Sequence, residues 1–513
     1  MKRFGIMAAA LAATALVPMG AAHADTLQDA LTAAYVNNPT LAVARANQRA
    51  TDEGVAIQKA AGRPNVTATG QYLEFVKQSS TSSFSPERAV NGQLNLGVPI
   101  FSGGAVKNGV RGATARVEAG RADLRATESD IFSQTVAAYM DVLRNQAVVG
   151  LQANQVDVLS VNLQATSDRF EIGDLTRTDV AQSQARLALA QSDFTTAQAN
   201  LIAARETYAR LTGMAADSLQ PPPPLPGFPP NVETAVDIAL ERNPDILAAQ
   251  DRARAAGFDV RVAGASRLPR VSLITGGTYN NYLNSIDTSG VPVGPIDPTD
   301  PTSPVGPVTT IPTTNTAVQV GVQLNVPLFQ GGLPAAQRRQ AQARQSAALE
   351  TVIATERLVI AQTRAAWSSW QAASAVIVSA QSGVDAATLS LEGVRAENSI
   401  GNRTILDVLN AEQELLNARV ALVTARRNAY VAGFNLLAAM GRAEARDLGL
   451  VGEGMLYDPA INYERVQGKW LDWESDPAPE VTTTSTAQVP PADASIPEQD
   501  MPARDENGNI SGY

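Results

Sequence analysis

The chain has 513 residues, no cysteine and a single histidine, His23, which lies in an N-terminal segment that we expect to be removed. This composition excludes Ser-His-Asp and Cys-His catalysis and metal sites built on histidine or cysteine, so we expect no cofactor and no metal. The formal charge is −10, and no basic stretch is interleaved with aromatic residues, so nucleic acid is not an expected partner. Only 5% of residues are aromatic, which favours long, alanine-rich packing over a large globular core.

The N-terminal segment has the pattern of a secretory signal peptide. Two basic residues precede an apolar run at 6–17, and residues 22–24 match a small-x-small cleavage site. We therefore expect residues 1–24 to be removed and the mature chain to begin at Asp25. The apolar run is too short to span a bilayer as a helix, which argues against an uncleaved anchor.

Two motifs recur along the chain at one fixed offset. The motif VPIFSGG at 98–104 recurs as VPLFQGG at 326–332, and IGDLTRTDV at 172–180 recurs as IGNRTILDV at 400–408. Both offsets are 228 residues (326 − 98 and 400 − 172). The chain is therefore interpreted as two copies of one unit of roughly 200 residues, a size typical of a repeated structural domain.

Proline-rich segments mark the boundaries of these copies. Repeat 1 is predicted at 25–220 and repeat 2 at 231–450, with the stiff linker PPPPLPGFPP at 221–230 between them. The C-terminal segment 451–513 is interpreted as a periplasmic tail. It is rich in Pro, Thr, Ser and acidic residues from about position 475, so we expect it to be largely disordered from there.

Each copy contains two segments with the period-two alternation of a β-strand. The clearer segments lie at about 90–101 and 316–329, and weaker ones lie upstream at about 65–76 and 270–283. The clear alternations are 11 residues long, enough for a tilted strand to cross a membrane. Two kinds of strand fit this pattern equally well. One is a membrane strand whose apolar face meets lipid and whose polar face lines a wet lumen, and the other is a strand of a soluble sandwich whose apolar face is buried. A Pro/Gly-rich insertion, 290–313, lies in the loop of the second strand pair.

Proline-free intervals after the strands predict very long helices. The intervals 100–220 and 335–458 contain none of the 30 prolines. After Gly173, large and small apolar residues alternate along a five-heptad seam that recurs in the second copy. The preceding helix is predicted at about 106–170, or roughly 100 Å at 1.5 Å per residue. A coiled-coil stalk or a tunnel wall needs helices of this length.

Four strands cannot close a transmembrane barrel alone, because eight strands is the practical minimum and open edges are not tolerated in a bilayer. Strands in a membrane would therefore need other chains, and three chains would supply twelve. The predicted fold class is mainly α with a transmembrane β-barrel contribution. Two tandem repeats supply four strands per chain to a 12-stranded barrel in a trimer, above a long α-helical coiled-coil barrel.

At this point the chain resembles a known family, the TolC-like outer-membrane efflux proteins. The resemblance rests on the duplication, on the two VP[IL]FxGG corners, and on SIGNRTILDVLNAEQELLNARVAL at 399–422. It implies a homotrimeric duct that meets outer-membrane lipid as a β-barrel and crosses the periplasm as an α-barrel. A periplasmic adaptor and an inner-membrane pump would be its partners, for efflux or type I secretion, and the duct itself would do no chemistry.

Two other classes of protein fit parts of the pattern. A non-channel coiled-coil structural or adaptor protein of the cell envelope would explain the long helices. An adaptor would, however, carry a lipoyl-like β-domain between paired helices and would lack the twin strands. A hydrolase that uses only carboxylates would need an acid pair in a pocket-forming context, and the sequence offers no obvious one. We therefore expect an export duct and not an enzyme.

The strand-to-helix corners are predicted to be structural. Each carries a proline at the strand end and two glycines that permit a sharp bend. The six residues are Pro99, Gly103, Gly104, Pro327, Gly331 and Gly332.

The candidate gate residues lie in the loops before the two seams. Asp179 and Asp407 are equivalent, and each follows a threonine by three residues, which matches a helix capping box. The resemblance implies a second role, because Arg403 and Asp179 match an arginine and an aspartate that hold the family's periplasmic entrance shut. Asp407 matches the first acid of the family's lumenal constriction. Asn398 and Asn410 stand where the family has a tyrosine and a second acid, so the resemblance does not support the tyrosine link and the acidic ring is weaker. Capping and gating both remain open interpretations.

Overall fold

The computed structural model describes most of the chain. The described residues are 26–77, 86–216, 218–286, 291–292, 296–297, 299–304, 308–309, 312–450, 456–496, 503–504 and 510–511. The predicted signal peptide at 1–24 and the predicted N-terminus at Asp25 lie outside these ranges, as does part of the insertion at 290–313. These assignments and the repeat boundaries therefore stay predictions.

The helices repeat in order and in length. Helices α1 to α4 have 11, 22, 67 and 36 residues, and α5 to α8 have 11, 22, 67 and 35. The helices are α1 (Leu27–Asn37), α2 (Pro39–Ala60), α3 (Ala105–Glu171), α4 (Arg177–Thr212), α5 (Val232–Arg242), α6 (Pro244–Ala265), α7 (Leu333–Ser399), α8 (Ile405–Ala439) and α9 (Pro459–Gln467). Within the described ranges, no helix is both long enough and apolar enough to cross a membrane.

Four long strands form one antiparallel sheet in the order β1-β2-β3-β8. Short two- to five-residue strands lie in the insertion and near the C-terminus. The strands are β1 (Asn65–Glu74), β2 (Arg88–Phe101), β3 (Arg270–Asn281), β4 (Val291–Pro292), β5 (Ile296–Asp297), β6 (Asp300–Pro304), β7 (Val308–Thr309), β8 (Thr314–Asn325), β9 (Ala503–Arg504) and β10 (Ile510–Ser511). The hairpins of the two halves meet where β2 pairs with β3. The predicted fold class, mainly helical with four antiparallel strands in two halves, is confirmed.

The apolar face of the sheet is uncovered in the single chain. On β8, Val318 is 83% exposed and Leu324 is 62% exposed, and the apolar residues between them are similarly open. A soluble sandwich would bury such a face against a second layer. The exposure therefore argues against the sandwich interpretation. The apolar face of the sheet is available for contacts outside the chain.

The strand-to-helix corners need glycine. Gly103 and Gly104 have φ angles of 63° and 84°, and their counterparts Gly331 and Gly332 have 59° and 82°. These left-handed angles disfavour any residue with a Cβ. At Gly103 a Cβ would also lie 2.8 Å from the Cβ of Leu268. The two corner prolines occupy different positions relative to the strands. Pro99 pairs with β3 at a register shift, whereas Pro327 follows the end of β8.

The main hydrophobic core lies partway along the long helices. It combines the middle of α3 with the ends of α4 and α8 nearest the sheet, and Tyr139, Tyr208 and Phe434 are among its fully buried side chains. The 221–230 linker packs on this core, because Leu225 and Phe228 both approach Gly433. Beyond this core, the long helices continue away from the sheet toward the loops at 172–176 and 400–404.

The described part of the tail lies against the helices. Helix α9 packs on α2 through the buried Val466, and Asn462 donates to the buried Asp52 at 2.8 Å. Further along, Asp493 accepts a hydrogen bond from Arg205 of α4, whose side chain is buried. Segment 456–496 therefore runs over the core as a strap between α2 and α4, and the disorder expected from about residue 475 stays a prediction.

Candidate functional site

The candidate gate lies at the end of the molecule farthest from the sheet. Helices α3 and α7 both start at a strand corner and both have 67 residues, so each carries the chain about 100 Å away. The loops at 172–176 and 400–404 then reverse the chain into α4 and α8. The duplication thus brings the two loops to one end of the helical bundle.

Both aspartates of the candidate gate serve helix caps. Oδ2 of Asp179 accepts hydrogen bonds from the backbone N and the Oγ1 of Thr176, at 2.9 and 2.7 Å, and the Asp179 backbone N donates to the threonine hydroxyl. Asp407 and Thr404 repeat this geometry at 3.0 and 2.7 Å. Hydrogen bonds from the threonine side chain and then the threonine backbone lower the pKa of each aspartate. Both side chains are partly exposed, and the lowered pKa keeps both carboxylates ionised at neutral pH.

Arg403 does not meet Asp179 within one chain. Its Nε donates to Oε2 of Glu397 at 2.7 Å across the tight turn, and this hydrogen bond is the main reason that its pKa is raised. Asn398 braces the same turn, because its Nδ2 donates to the Arg403 carbonyl at 2.8 Å. The gate pairing that the resemblance implies therefore stays a prediction about neighbouring chains.

Asn410 forms a contact between the two repeats. Its Oδ1 accepts a hydrogen bond from Nη2 of Arg186 on α4 at 2.8 Å. An aspartate at this position would form an ion pair with Arg186, whereas the amide keeps the hydrogen bond without adding a negative charge. The departure from the family pattern therefore keeps a link between α4 and α8.

A buried carboxylate that the sequence analysis did not identify lies near the gate. Glu412 is 4% exposed, and its two oxygens accept hydrogen bonds from Nδ2 of Asn162, both at 3.1 Å. Nη2 of Arg395 donates to the same carboxylate at 3.1 Å. The cluster ties α3, α7 and α8 together. Its sequence signal was the helical spacing of Glu412, four residues after the buried Val408 and three before the buried Leu415.

Two adjoining cavities surround this cluster. The larger has a volume of about 520 Å³, and the smaller about 310 Å³. Both are lined by Leu391, Arg395, Leu415 and Arg419, so charged and apolar side chains share one lining. Burial lowers the pKa of Arg419. Among the described residues, no group of three or more His, Cys, Asp or Glu side chains could hold a metal ion.

Known proteins match this architecture along nearly the whole chain. The family model described as outer membrane efflux protein matches residues 30–214 and 235–442. The outer membrane efflux protein BepC of Brucella suis is 33% identical over 468 residues, which cover 91% of this chain and 96% of that protein. The alkaline protease secretion protein AprF of Pseudomonas aeruginosa is 26% identical over 84% of this chain and 87% of its own length. The CmeC outer membrane channel of Campylobacter jejuni superposes with a TM-score of 0.68 at 17% identity, over 86% of this chain and 89% of that one.

The duplicated helical hairpins, the four-stranded sheet and these matches define an outer-membrane channel for efflux or secretion. The chain belongs to the outer membrane efflux protein family. The family consists of channels rather than enzymes, so the coiled-coil adaptor and hydrolase interpretations are set aside.

Proposed function

We propose that three copies of this chain form one continuous exit duct, in which three four-stranded sheets close a 12-stranded barrel and the long helices line a periplasmic tunnel. The sheet supports this arrangement, because β1 and β8 each have one edge without a strand partner in the described chain. Unpaired edges are not tolerated in hydrocarbon, so each β1 would pair with the β8 of the next copy.

The strongest support for association with other copies is the difference in burial between the two long helices. Both α3 and α7 have 67 residues, but 24 are buried in α3 and only six in α7. The open side of α7 includes Leu349, Val378 and Leu389, which are all exposed. A 67-residue helix with apolar side chains on its open side needs a partner, and a second copy of the chain supplies one.

The gate is proposed to form between chains. Arg403 lies in the loop at 400–404, and Asp179 lies in the first turn of α4 at the same end of the bundle. The Arg403 side chain is exposed, and that of Asp179 is partly exposed. Arg403 can therefore exchange its partner within the chain, Glu397, for Asp179 of a neighbouring chain. Three such links would form a ring at the periplasmic entrance, while Asp407 would contribute a negative charge to the lumen. A periplasmic adaptor that supplied competing contacts would open the ring.

The duct is proposed to receive its cargo from an inner-membrane pump through that adaptor, and outer-membrane lipid would surround the barrel. The relatives named above include both an efflux protein and a protease secretion protein, so the cargo class covers efflux and type I secretion. Energy would come from the pump.

Purified protein in planar bilayers tests the duct directly. We expect a heat-resistant trimer on a gel and discrete single-channel currents that are low because the entrance is closed. A folded monomer without conductance would overturn the proposal. Matched crosslinking pairs, one with cysteines on the edges of β1 and β8 and one with cysteines on β2 and β3, separate contacts between chains from contacts within a chain.

A further inference from the structure

The tail carries an exposed cluster of large apolar side chains. Trp470, Leu471 and Trp473 are 64%, 75% and 98% exposed. Single exposed apolar residues are ordinary, but two tryptophans and a leucine within four positions form a patch that marks a contact with another molecule or with a membrane.

Contacts with the turn between α2 and β1 fix the position of this cluster. Nη1 of Arg63 donates to the Lys469 carbonyl at 2.8 Å, and the guanidinium of Arg63 stacks over the Trp470 ring, 4.6 Å from its centroid. Arg63 lies two residues before Asn65, where β1 begins. The cluster therefore lies at the end of the sheet where strands give way to helices.

Other exposed apolar side chains lie at the same end of the sheet. They follow or end the strands of both repeats at the VPIF and VPLF corners. These residues are Ile100, Phe101, Leu328 and Phe329. In an outer-membrane channel whose strands cross the bilayer, this end is the periplasmic boundary of the lipid. Tryptophan and tyrosine are enriched at that depth, because their rings meet acyl chains and their N–H or O–H groups meet water.

Ion pairs behind the cluster hold the segment in place. Asp476 accepts hydrogen bonds from Arg465 at 2.7 Å and from Lys469 at 2.6 Å, which anchors both flanks of residues 470–473 to α9. Lys469 also lies 3.7 Å from Glu474, so both acids that follow the segment are paired with cations, whereas Asp472 lies exposed between the tryptophans. A fixed loop loses little conformational entropy when its side chains enter an interface.

We propose that residues 470–473 insert Trp470, Leu471 and Trp473 into the periplasmic leaflet of the outer membrane, as an interfacial anchor for the C-terminal strap. Lipid is the occupant that the position favours, because the segment continues the apolar boundary at the ends of the strands. The anchor acts on each chain by itself and does not depend on the gate.

The distribution of tryptophan in this chain allows a selective test. The chain has four tryptophans, of which Trp367 and Trp370 pack at the helical core. Trp367 lies 34 residues after Leu333, the start of α7, and thus about 50 Å from the sheet. The full-length channel is reconstituted in phosphatidylcholine vesicles, with or without lipids brominated near the headgroup end of the acyl chain. The Trp470→Phe/Trp473→Phe double variant is the matched control.

Brominated lipid should remove about half of the wild-type tryptophan emission, since two of the four tryptophans lie at the interface, and should leave the emission of the double variant nearly unchanged. Quenching of the wild type by aqueous acrylamide but not by brominated lipid would overturn the proposal and place the segment in water. Protection from both quenchers would also overturn it and indicate cover by another protein surface, such as a second copy. Channel conductance, measured in parallel, should be the same for both proteins, so failure of the anchor is distinguishable from failure of the duct.

Discussion

Leu94 and Asn95 provide a matched test of which face of the sheet meets lipid. They are neighbours on β2, so their side chains point to opposite faces. Leu94 lies opposite Ala68 on β1 and Gly277 on β3, in the interior of the sheet. At roughly 3.3 Å per residue it is about 20 Å from either end of the strand, which places it near the bilayer midplane.

The substitution Leu94→Arg adds a guanidinium to the hydrocarbon. The Leu94 side chain is exposed, so the longer arginine fits without a clash and the cost is that of the charge. That cost is about 2–4 kcal/mol near the midplane, or about 6–12 kcal/mol for the three copies of a trimer, comparable with the whole stability of a domain. Asn95→Arg would face the aqueous lumen. It removes only an exposed 3.2 Å hydrogen bond from Gln93, worth about 0.5–1.5 kcal/mol.

The assay compares the amount of heat-resistant trimer in outer-membrane fractions of cells that express each variant. We expect Leu94→Arg to be largely lost and Asn95→Arg to assemble near the wild-type level. A Leu94→Ala variant controls for loss of the side chain and should assemble. Equal loss of the two arginine variants, or the reverse order, would refute the assignment of the faces.

Other predictions concern the gate, the buried carboxylate and the N-terminus. Arg403→Glu should raise single-channel conductance, and adding Asp179→Arg should partly restore closure; a double variant that leaks as much as the worse single variant would rule out a direct link. Asp179→Ala should lower the melting temperature by removing a helix cap. Because capping lowers the pKa of Asp179, the contribution of the cap is full above the ordinary value of 3.8 and is lost as pH falls through the lower folded value, so the wild-type and alanine melting temperatures should converge in acid. Glu412→Ala should cost about 1.5–3 kcal/mol of unfolding free energy per chain, whereas the exposed Glu414→Ala should cost little; equal melting shifts would contradict the role of the buried cluster. N-terminal sequencing of the outer-membrane protein should begin at or near Asp25, and an intact leader would contradict the signal assignment.

Local signals were sufficient to predict the long elements. The proline-free interval predicted a helix at about 106–170, and α3 spans Ala105–Glu171. The strand predicted at 316–329 extends only over Thr314–Asn325, because residues 326–329 have no strand partner in one chain. The capping boxes could also be predicted, since threonine and aspartate are only three residues apart.

Contacts between distant parts of the chain could not be predicted in this way. Asn162 and Glu412 are 250 residues apart, so only the packing of α3 against α8 reveals their hydrogen bonds. The ion pair of Arg403 could not be predicted either, although its partner is much closer in the sequence. Its partner Glu397 lies six residues away across a turn whose geometry the sequence pattern does not specify. The family resemblance instead predicted a pairing of Arg403 with Asp179, which would require a second chain.

The position of the main core leaves α4 and α8 with long arms that reach from the core to the gate loops. On α8, the fully buried Phe434 lies 30 residues from Thr404, the N-cap of the helix, which is about 45 Å along the helix axis. With the core as a fulcrum, a tilt of about 5° would carry the distant loop sideways by about 4 Å, more than the length of a hydrogen bond. The same leverage applies to α4, whose Tyr208 is buried in the same core. In the proposed duct, the entrance would therefore widen by several ångströms while the side chains at the core stay packed.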